Sequence, residues 1–321
     1  MRKIGVLTSG GDTPGMNSAI RAVFKEGVKQ NFTVLGIFHG YRGLIEGNIR
    51  EMNHSDVENI MHKGGTILRT ARSEEFKSPE GQKRALSVAK AYGIEGIVII
   101  GGDGSYRGAK ILNDLGVATI GVPGTIDNDM GYTDYTIGFN TAVNTITNEI
   151  YNIRDTMRAH DRVGVIEVMG RNCGDIALWA GVAGGADMIL VPECPMPWDE
   201  AAQRLQDYRL RGKLTSIVVM AEGAGKAEDF AAYVRESTGI EIKAIVPGYT
   251  QRGGNPVAYD RILASQLGQR AVELLVEGKG GRAVGTRRNS IIDVPLEDAI
   301  GKVDSFDEKL YDFNNNVLAR F

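Results

Sequence analysis

Short apolar runs rich in β-branched residues alternate along the chain with longer stretches whose apolar positions recur every three or four residues. The runs 3–9 (KIGVLTS), 33–38 (TVLGIF), 96–102 (GIVIIGG) and 117–122 (VATIGV) predict strands. The stretches 16–30, 80–93 and 105–116 predict helices, the second ended by Gly93 as a left-handed C-cap. This βαβα rhythm predicts a mostly parallel sheet covered by helices on both faces, with ligands outside the carboxyl ends of the strands. A long helix over 140–160 sets Val143, Ile146, Ile150, Ile153 and Met157 on one face, spaced for a core. Strands over 162–170, 187–192 and 215–223 then alternate with helices from about Cys173, from about Asp199 and over 229–239. Residues 251–260 (QRGGNPVAYD) read as a loop, and 261–278 as a helix. A chain of 321 residues exceeds what one core usually serves. The predicted fold is therefore α/β with two lobes, each a mostly parallel sheet between helices.

Composition narrows the function. A net charge of -3 argues against a nucleic-acid partner, whose phosphates need a basic surface. No run approaches the roughly 18 apolar residues that span a bilayer, so no membrane partner is expected. Cys173 and Cys194 make neither a disulfide framework nor a CxxC metal site and fit a reducing cytoplasm. His39, His54, His62 and His160 show no metal-ligand spacing. The unusual count is 42 glycines, clustered after apolar runs, where backbone must turn sharply or approach a ligand.

Three glycine-led loops follow predicted strands. In 7–17 (LTSGGDTPGMN) a strand gives way to a helix near Pro14, whose backbone N–H groups suit a phosphate, with Gly11 placed to come closest. An ordinary strand-to-helix turn explains the string equally well. In 99–108 (IIGGDGSYRG) Asp103 sits at the loop tip, a carboxylate suited to Mg²⁺ beside phosphates, and Ser105 reads as the N-cap of the next helix. GGDGS strings also resemble those of NAD kinases and diacylglycerol kinases, so this one indicates phosphoryl transfer without naming a substrate. In 124–129 (GTIDND) Asp127 and Asp129 make either a solvated acidic turn or a general base beside a metal or phosphate site. Arg69, Arg72, Arg162, Arg171 and Arg252, each in or beside a polar loop, suit the grip on substrate phosphates.

Taken together, GVLTSGGDTPGMN, GGDGS, PGTIDND, IEVMGR, AEG and QRGG followed by DRILAS resemble the bacterial ATP-dependent 6-phosphofructokinases, in order and spacing, from about residue 2 to residue 290. The resemblance implies a phosphofructokinase-like fold. Residues 1–138 with 251–301 would form a larger ATP-binding lobe, and 139–250 with 302–321 a smaller fructose 6-phosphate-binding lobe. It implies transfer of the γ-phosphate of Mg-ATP to the 1-hydroxyl of fructose 6-phosphate, the committed step of glycolysis. Asp127 would be the base, with Asp129 and Asp103 on the Mg²⁺ side. Gly11, Arg72, Ser73, Gly102, Asp103, Gly104 and Ser105 would hold ATP. Arg72, Thr125 and Arg171 would stabilise the moving phosphoryl group. Thr125, Ile126, Asp127, Met169, Gly170, Arg171, Glu222, Tyr249 and Arg252 would contact the sugar phosphate. Arg162 and Lys243 would reach over from a neighbouring subunit of a homotetramer. Pyrophosphate-dependent relatives tend to carry aspartate and lysine where this chain has Gly104 and Gly124, so the two glycines favour ATP. A pyrophosphate-dependent or differently specific sugar kinase, and a catalytically dead nucleotide-binding regulator, are the competing readings. The latter would lack Asp127 or Asp103.

The chain departs from the family pattern at several positions. Lys243 stands where the family usually has arginine, and Tyr249 where it usually has histidine. Lysine lacks the bidentate fork, which predicts weaker binding of fructose 6-phosphate. Arg21, Arg154, Arg211 and Lys213 match the family's site for ADP or phosphoenolpyruvate as effectors, a site that Gly185 also helps form. Lys25, His54, Asn59, Asp187 and Thr215 differ from its commonest residues. A weak allosteric response is expected.

Overall fold

The computed structural model describes residues 2–301 and 306–319. The chain divides into two compact units, Met1–Thr141 with Arg252–Asp304 and Ala142–Gln251 with Ser305–Phe321. Of the smaller lobe expected over 139–250 and 302–321, residues 302–305 and 320–321 lie outside the described residues.

The first unit opens with strand β1 (Lys3–Thr8), helix α1 (Met16–Lys29), β2 (Thr33–Ile37), α2 (Gly40–Glu46), β3 (Ile49–Glu51) and α3 (Pro79–Tyr92). It continues with β4 (Ile94–Gly101), α4 (Asp103–Asp114), β5 (Ala118–Thr125) and the two-residue β6 (Ile137–Gly138). Helix α5 (Phe139–Ala159) leads to β7 (Val163–Val168), α6 (Asp175–Gly184), β8 (Met188–Leu190), α7 (Trp198–Leu210), β9 (Ser216–Ala221), α8 (Ala227–Thr238) and β10 (Ile242–Ile245). The first unit is then completed by α9 (Ala258–Val276), β11 (Arg282–Arg287), β12 (Ser290–Pro295) and α10 (Leu296–Ala299), and α11 (Glu308–Phe313) belongs to the second. The helix read from residue 261 thus begins earlier, inside the stretch taken for a loop.

The sheet of the first unit runs β12-β11-β5-β4-β1-β2-β3, with β6 beside the end of β5. Strands β11, β5, β4, β1 and β2 are parallel; only the edges β12 and β3 run antiparallel. The continuous apolar run of β4 follows from burial on both faces. Val98 and Ile100 pack with α1 and α9 on one side, and Ile97 and Ile99 with α3 and α4 on the other. Helices α1 and α9 lie close because Gly268 faces Ala19, whose carbonyl oxygen is 2.7 Å from where a Cβ would stand. The β11–β12 hairpin turns through Arg288 and Asn289, both left-handed at φ 50° and 61°. It is tied to α9 by Asp293, which holds both Arg270 and Arg282.

The second unit has a four-stranded, fully parallel sheet, β10-β7-β9-β8. On α5, Ile146, Ile150 and Met157 are buried and Val143 and Ile153 half-buried, as the spacing predicts. No helix among the described residues is long and apolar enough to cross a membrane. Cys173 and Cys194 are both thiols.

Candidate active site

Strands β1, β4 and β5 are consecutive neighbours and run parallel, so the loops at their carboxyl ends emerge along one sheet edge. Gly11 lies in the first loop, Asp103 follows the second and Asp127 lies in the third. The first is stitched to the second strand by Ser9 N–H donating to the Ile100 carbonyl at 3.0 Å.

The exposed helix start belongs to α4 rather than to α1. Thr13, Pro14, Gly15 and Met16 are buried, and Gly15 caps α1 in a left-handed conformation at φ 110°. The helix start near Pro14 is therefore closed to a phosphate, and only Gly10 and Gly11 of that loop are exposed. Helix α4 begins at Asp103 behind an extended Gly102, with no side-chain cap. Gly104 is exposed, and a Cβ there would meet nothing within 4 Å. Its first-turn N–H groups and the positive end of its dipole suit an anion. Ser105 is not the N-cap, since Gly102 holds that place. It is 4% exposed, its carbonyl accepts from Tyr41 Oη at 2.6 Å, and its Oγ lies beside Gly10 and Gly101. The Asp103 carboxylate accepts from Arg107 Nε at 2.9 Å and from Gly301 N–H at 2.7 Å.

The two glycines expected to favour ATP differ in their surroundings. A side chain on Gly104 would project into open space beside the cradle. A Cβ on Gly124 would instead meet Ile100 Cγ2 at 3.1 Å and Met16 Cε at 3.2 Å, inside the packed core. Of the two, only Gly104 borders open space.

Asp127 is not on a solvated turn. It is 6% exposed, with Ile126 and Asn128 buried on either side. Thr125 Oγ1 accepts from Asp127 N–H at 3.1 Å, forming a hydroxyl turn. Asn128 takes a left-handed φ of 53°, which asparagine tolerates better than most residues. Its Oδ1 accepts from Thr136 N–H at 3.0 Å. Asp129 is half-buried.

Exposed Arg72 and half-buried Ser73 close a long segment pinned to the first loop. Asn17 Nδ2 donates to the Lys63 carbonyl at 3.0 Å, Thr8 Oγ1 to the Arg69 carbonyl at 2.8 Å, and Thr70 Oγ1 to the Gly10 carbonyl at 2.7 Å. Ser73 Oγ accepts from Phe76 N–H at 3.2 Å. The Arg252 guanidinium lies against Gly11 so closely that a Cβ there would overlap Nη1. Asn17, Thr8, Thr70, Asn128 and Thr136 escaped the reading of the sequence. Their only signal is a small polar residue in or beside an apolar element.

In the second unit, Met169, Gly170 and Arg171 follow β7, and Glu222 follows its neighbour β9. Glu222 Oε1 accepts from the N–H groups of Gly170 at 3.1 Å and Arg171 at 2.8 Å. That holds Arg171, a bulky residue, at φ 55° and leaves it exposed, a strained conformation of the kind that gathers at binding sites. Gln251, 1% exposed and not anticipated, accepts from Met169 N–H at 2.9 Å. Tyr249 is 82% exposed. Arg162 and Lys243 lie elsewhere. Arg162 precedes β7, Lys243 pairs with Gly164 near its start, and both bind Glu241, at 2.9 and 3.3 Å. Arg162 and Met169 thus stand at opposite ends of one strand, roughly 20 Å apart at about 3.3 Å per residue.

The effector candidates fall in both units. Arg21 and Lys25 lie on α1, where Lys25 Nζ is 3.0 Å from His54 Nδ1. In the second unit Arg154 donates to the Gly185 carbonyl at 2.6 Å. Asp187 pairs with Lys213 and accepts from Ile217 N–H at 2.7 Å, so its carboxylate is engaged within the chain. Arg211 is exposed at the end of α7, and Thr215 is half-buried before β9.

Comparisons with known proteins agree with this arrangement. The phosphofructokinase family model matches residues 3–275. An ATP-dependent 6-phosphofructokinase of Clostridium tetani is 56% identical over 97% of this chain and 98% of its own length. One from Alkaliphilus metalliredigens is 55% identical over the same shares. The structure of phosphofructokinase from Saccharomyces cerevisiae matches 99% of this chain with a TM-score of 0.91 at 33% identity, and this chain spans 50% of the yeast chain. Three glycine-led loops on one sheet edge, a buried aspartate among them and matches along nearly the whole sequence place this chain in the phosphofructokinase family.

Proposed function

We propose that this protein transfers the γ-phosphate of ATP to the 1-hydroxyl of fructose 6-phosphate, giving fructose 1,6-bisphosphate and ADP. The observation that carries the proposal is Asp127, a buried carboxylate in the loop after β5, next to the strand that leads into the open start of α4. The hydroxyl proton passes to Asp127, the freed oxygen bonds to the γ-phosphorus, and the bond to the bridging oxygen of ADP breaks. Gly11 and the Gly102–Ser105 turn cradle the donor phosphates, with backbone rather than the buried Ser105 side chain as the contact. Arg72, Thr125 and Arg171 offset the charge that develops on the transferred group. Ile126 shapes the loop, and Met169, Gly170, Arg171, Glu222, Tyr249 and Arg252 receive the sugar phosphate.

Mg²⁺ fits the residues present. No cluster of three histidine, cysteine or acidic side chains forms a metal cage among the described residues. Mg²⁺ needs none, because it binds through one or two carboxylates together with substrate phosphates. Among the described residues each Asp103 oxygen has one hydrogen-bond partner, which leaves a lone pair for a cation. Asp103, supported by Asp129, would hold the ion, which when bound neutralises phosphate charge.

The active assembly is a homotetramer in the reducing cytoplasm, in which Arg162 and Lys243 complete a neighbouring copy's site. Their place at the far end of β7 from Met169 supports this. Arg21, Lys25, Arg154, Gly185, Asp187, Arg211, Lys213 and Thr215 form an effector site for ADP or phosphoenolpyruvate. The Asp187–Lys213 pair blunts its charge, so the response is weak. A fructose 6-phosphate titration checks both departures. Lys243→Arg is expected to tighten half-saturation by about fivefold through the bidentate fork, and phosphoenolpyruvate to shift it by less than about threefold. An unchanged midpoint, or a strong shift, would refute the respective statement.

The experiment that tests the function is product formation from fructose 6-phosphate and Mg²⁺ with ATP or pyrophosphate as donor. Turnover with ATP alone is expected. Turnover with pyrophosphate alone would overturn the argument from Gly104, and none with either would overturn the function.

A further inference from the structure

Residues 136–138 run through the interior of the first unit and brace two of the loops at the site. Thr136 has no exposed surface. Its hydroxyl donates to the Thr125 carbonyl at 2.7 Å and lies 3.3 Å from Asn128 Oδ1, the same oxygen that receives its N–H. Next in the chain, Ile137 and Gly138 pair with Gly124 and Thr125 as β6 beside β5. On the other side, Thr13 of the first loop donates its hydroxyl to the Ile137 carbonyl at 2.5 Å. Gly138, at φ 104°, lies against Thr13 so closely that a Cβ would overlap the hydroxyl. The strand thus ties the glycine loop of β1 to the loop carrying Asp127.

Asn128 is where this brace meets the two carboxylates. It stands between Asp127 and Asp129, is 5% exposed, and turns its side chain inward through a left-handed backbone. The direction of Asp127 therefore depends on where Asn128 is held, and Thr136 holds its Oδ1. A buried hydroxyl costs stability unless it is hydrogen-bonded. Valine would fill the same volume without that cost, so the threonine is explained by the bonds it makes to the base loop.

We propose that Thr136 and Asn128 are a positioning pair that aims Asp127 at the acceptor hydroxyl without touching either substrate. The proposal rests on the reading of Asp127 as the base. A base acts within hydrogen-bond reach of its proton, about 2.6–3.2 Å, and a displacement near 1 Å costs on the order of 10²-fold in rate.

The test is steady-state kinetics of Thr136→Val and Thr136→Ser, with thermal unfolding recorded alongside. Valine keeps the shape and the N–H bond to Asn128 Oδ1, and removes the hydroxyl that bonds the Thr125 carbonyl and lies beside Asn128 Oδ1. The expected result is a fall in kcat of about 10- to 100-fold, with KM for ATP and for fructose 6-phosphate within about twofold of the parent. Serine keeps the hydroxyl and is expected to bring kcat back to within about threefold of the parent. A role in stability alone would lower Tm and leave kcat of the folded enzyme intact; that outcome overturns the proposal. Asn128→Ala carries the same test if the valine enzyme does not fold. Asp127→Ser in the same assay separates the two ideas. If it is unimpaired, the base is misassigned; if it is slow while Thr136→Val is not, only the positioning pair fails.

Discussion

Asp127→Ser is expected to lower kcat by about 10²–10⁴-fold, the usual contribution of a positioned general base, with KM for both substrates changed by less than about fivefold. The serine enzyme should fold, because the bonds that shape the loop pass through the Asp127 N–H and the Asn128 side chain. Serine also fits the turn, since it is smaller and keeps a polar tip at a site that is 6% exposed. What it cannot do is take a proton from an alcohol and hold it as a carboxylate does. The loss should therefore fall on the chemical step and leave binding intact. Coupled assay of fructose 1,6-bisphosphate formation gives kcat, and a melting curve shows that the comparison is between folded enzymes. A rate within tenfold of the parent would remove Asp127 from the role. It would return the two aspartates to what an isolated GTIDND string also suggests, an acidic turn.

How much of this was legible in the sequence depends on the range of the interaction. Strand β4 declares itself by a continuous apolar run and helix α5 by an apolar stripe spaced three and four, and the burial of Ile97–Ile100 and of Ile146 and Ile150 follows from these patterns. The hairpin β11–β12 does not, because its turn is Arg288–Asn289 and lacks the glycine that usually marks two left-handed residues. Helix α2 is equally silent, seven residues with two glycines and no room for an apolar stripe. At the site, the glycines and charged residues of the loops were readable from loop composition. The residues holding them were not. Thr13 meets Ile137 across 124 positions and Met169 meets Gln251 across 82. No local pattern encodes such pairs. The buried start of α1 belongs to the same class: its sequence suits a phosphate cradle, and the packing of Ile137 and Asp260 against Gly15 closes it.

Arg162→Ala is expected to raise KM for fructose 6-phosphate by about 30-fold or more, because truncating a cation that pairs with the substrate phosphate where an interface excludes water costs about 2–5 kcal/mol. Within a single chain that effect has no explanation. Arg162 and Met169 close opposite ends of β7, and the Arg162 guanidinium is engaged by Glu241 at 2.9 Å. A strand cannot bring both its ends to one sugar phosphate. A second copy can, and an exchange of arginines between two copies satisfies the symmetry of a closed homo-oligomer. This makes a prediction that separates subunits. Asp127→Ser enzyme lacks the base, Arg162→Ala enzyme lacks the donated cation, and each assembled alone is nearly inactive at low fructose 6-phosphate. Dissociated, mixed in equal amounts and reassembled, they should recover about a quarter of parental activity, since half the sites draw an intact base and half of those an intact arginine. The pair that forms carries both lesions in one site and neither in the other. If Arg162 served its own chain's site, every site in the mixture would keep one lesion and activity would stay at the level of the separate mutants. Recovery toward a quarter therefore assigns Arg162 to the neighbour, and the absence of recovery from a verified mixed assembly assigns it elsewhere.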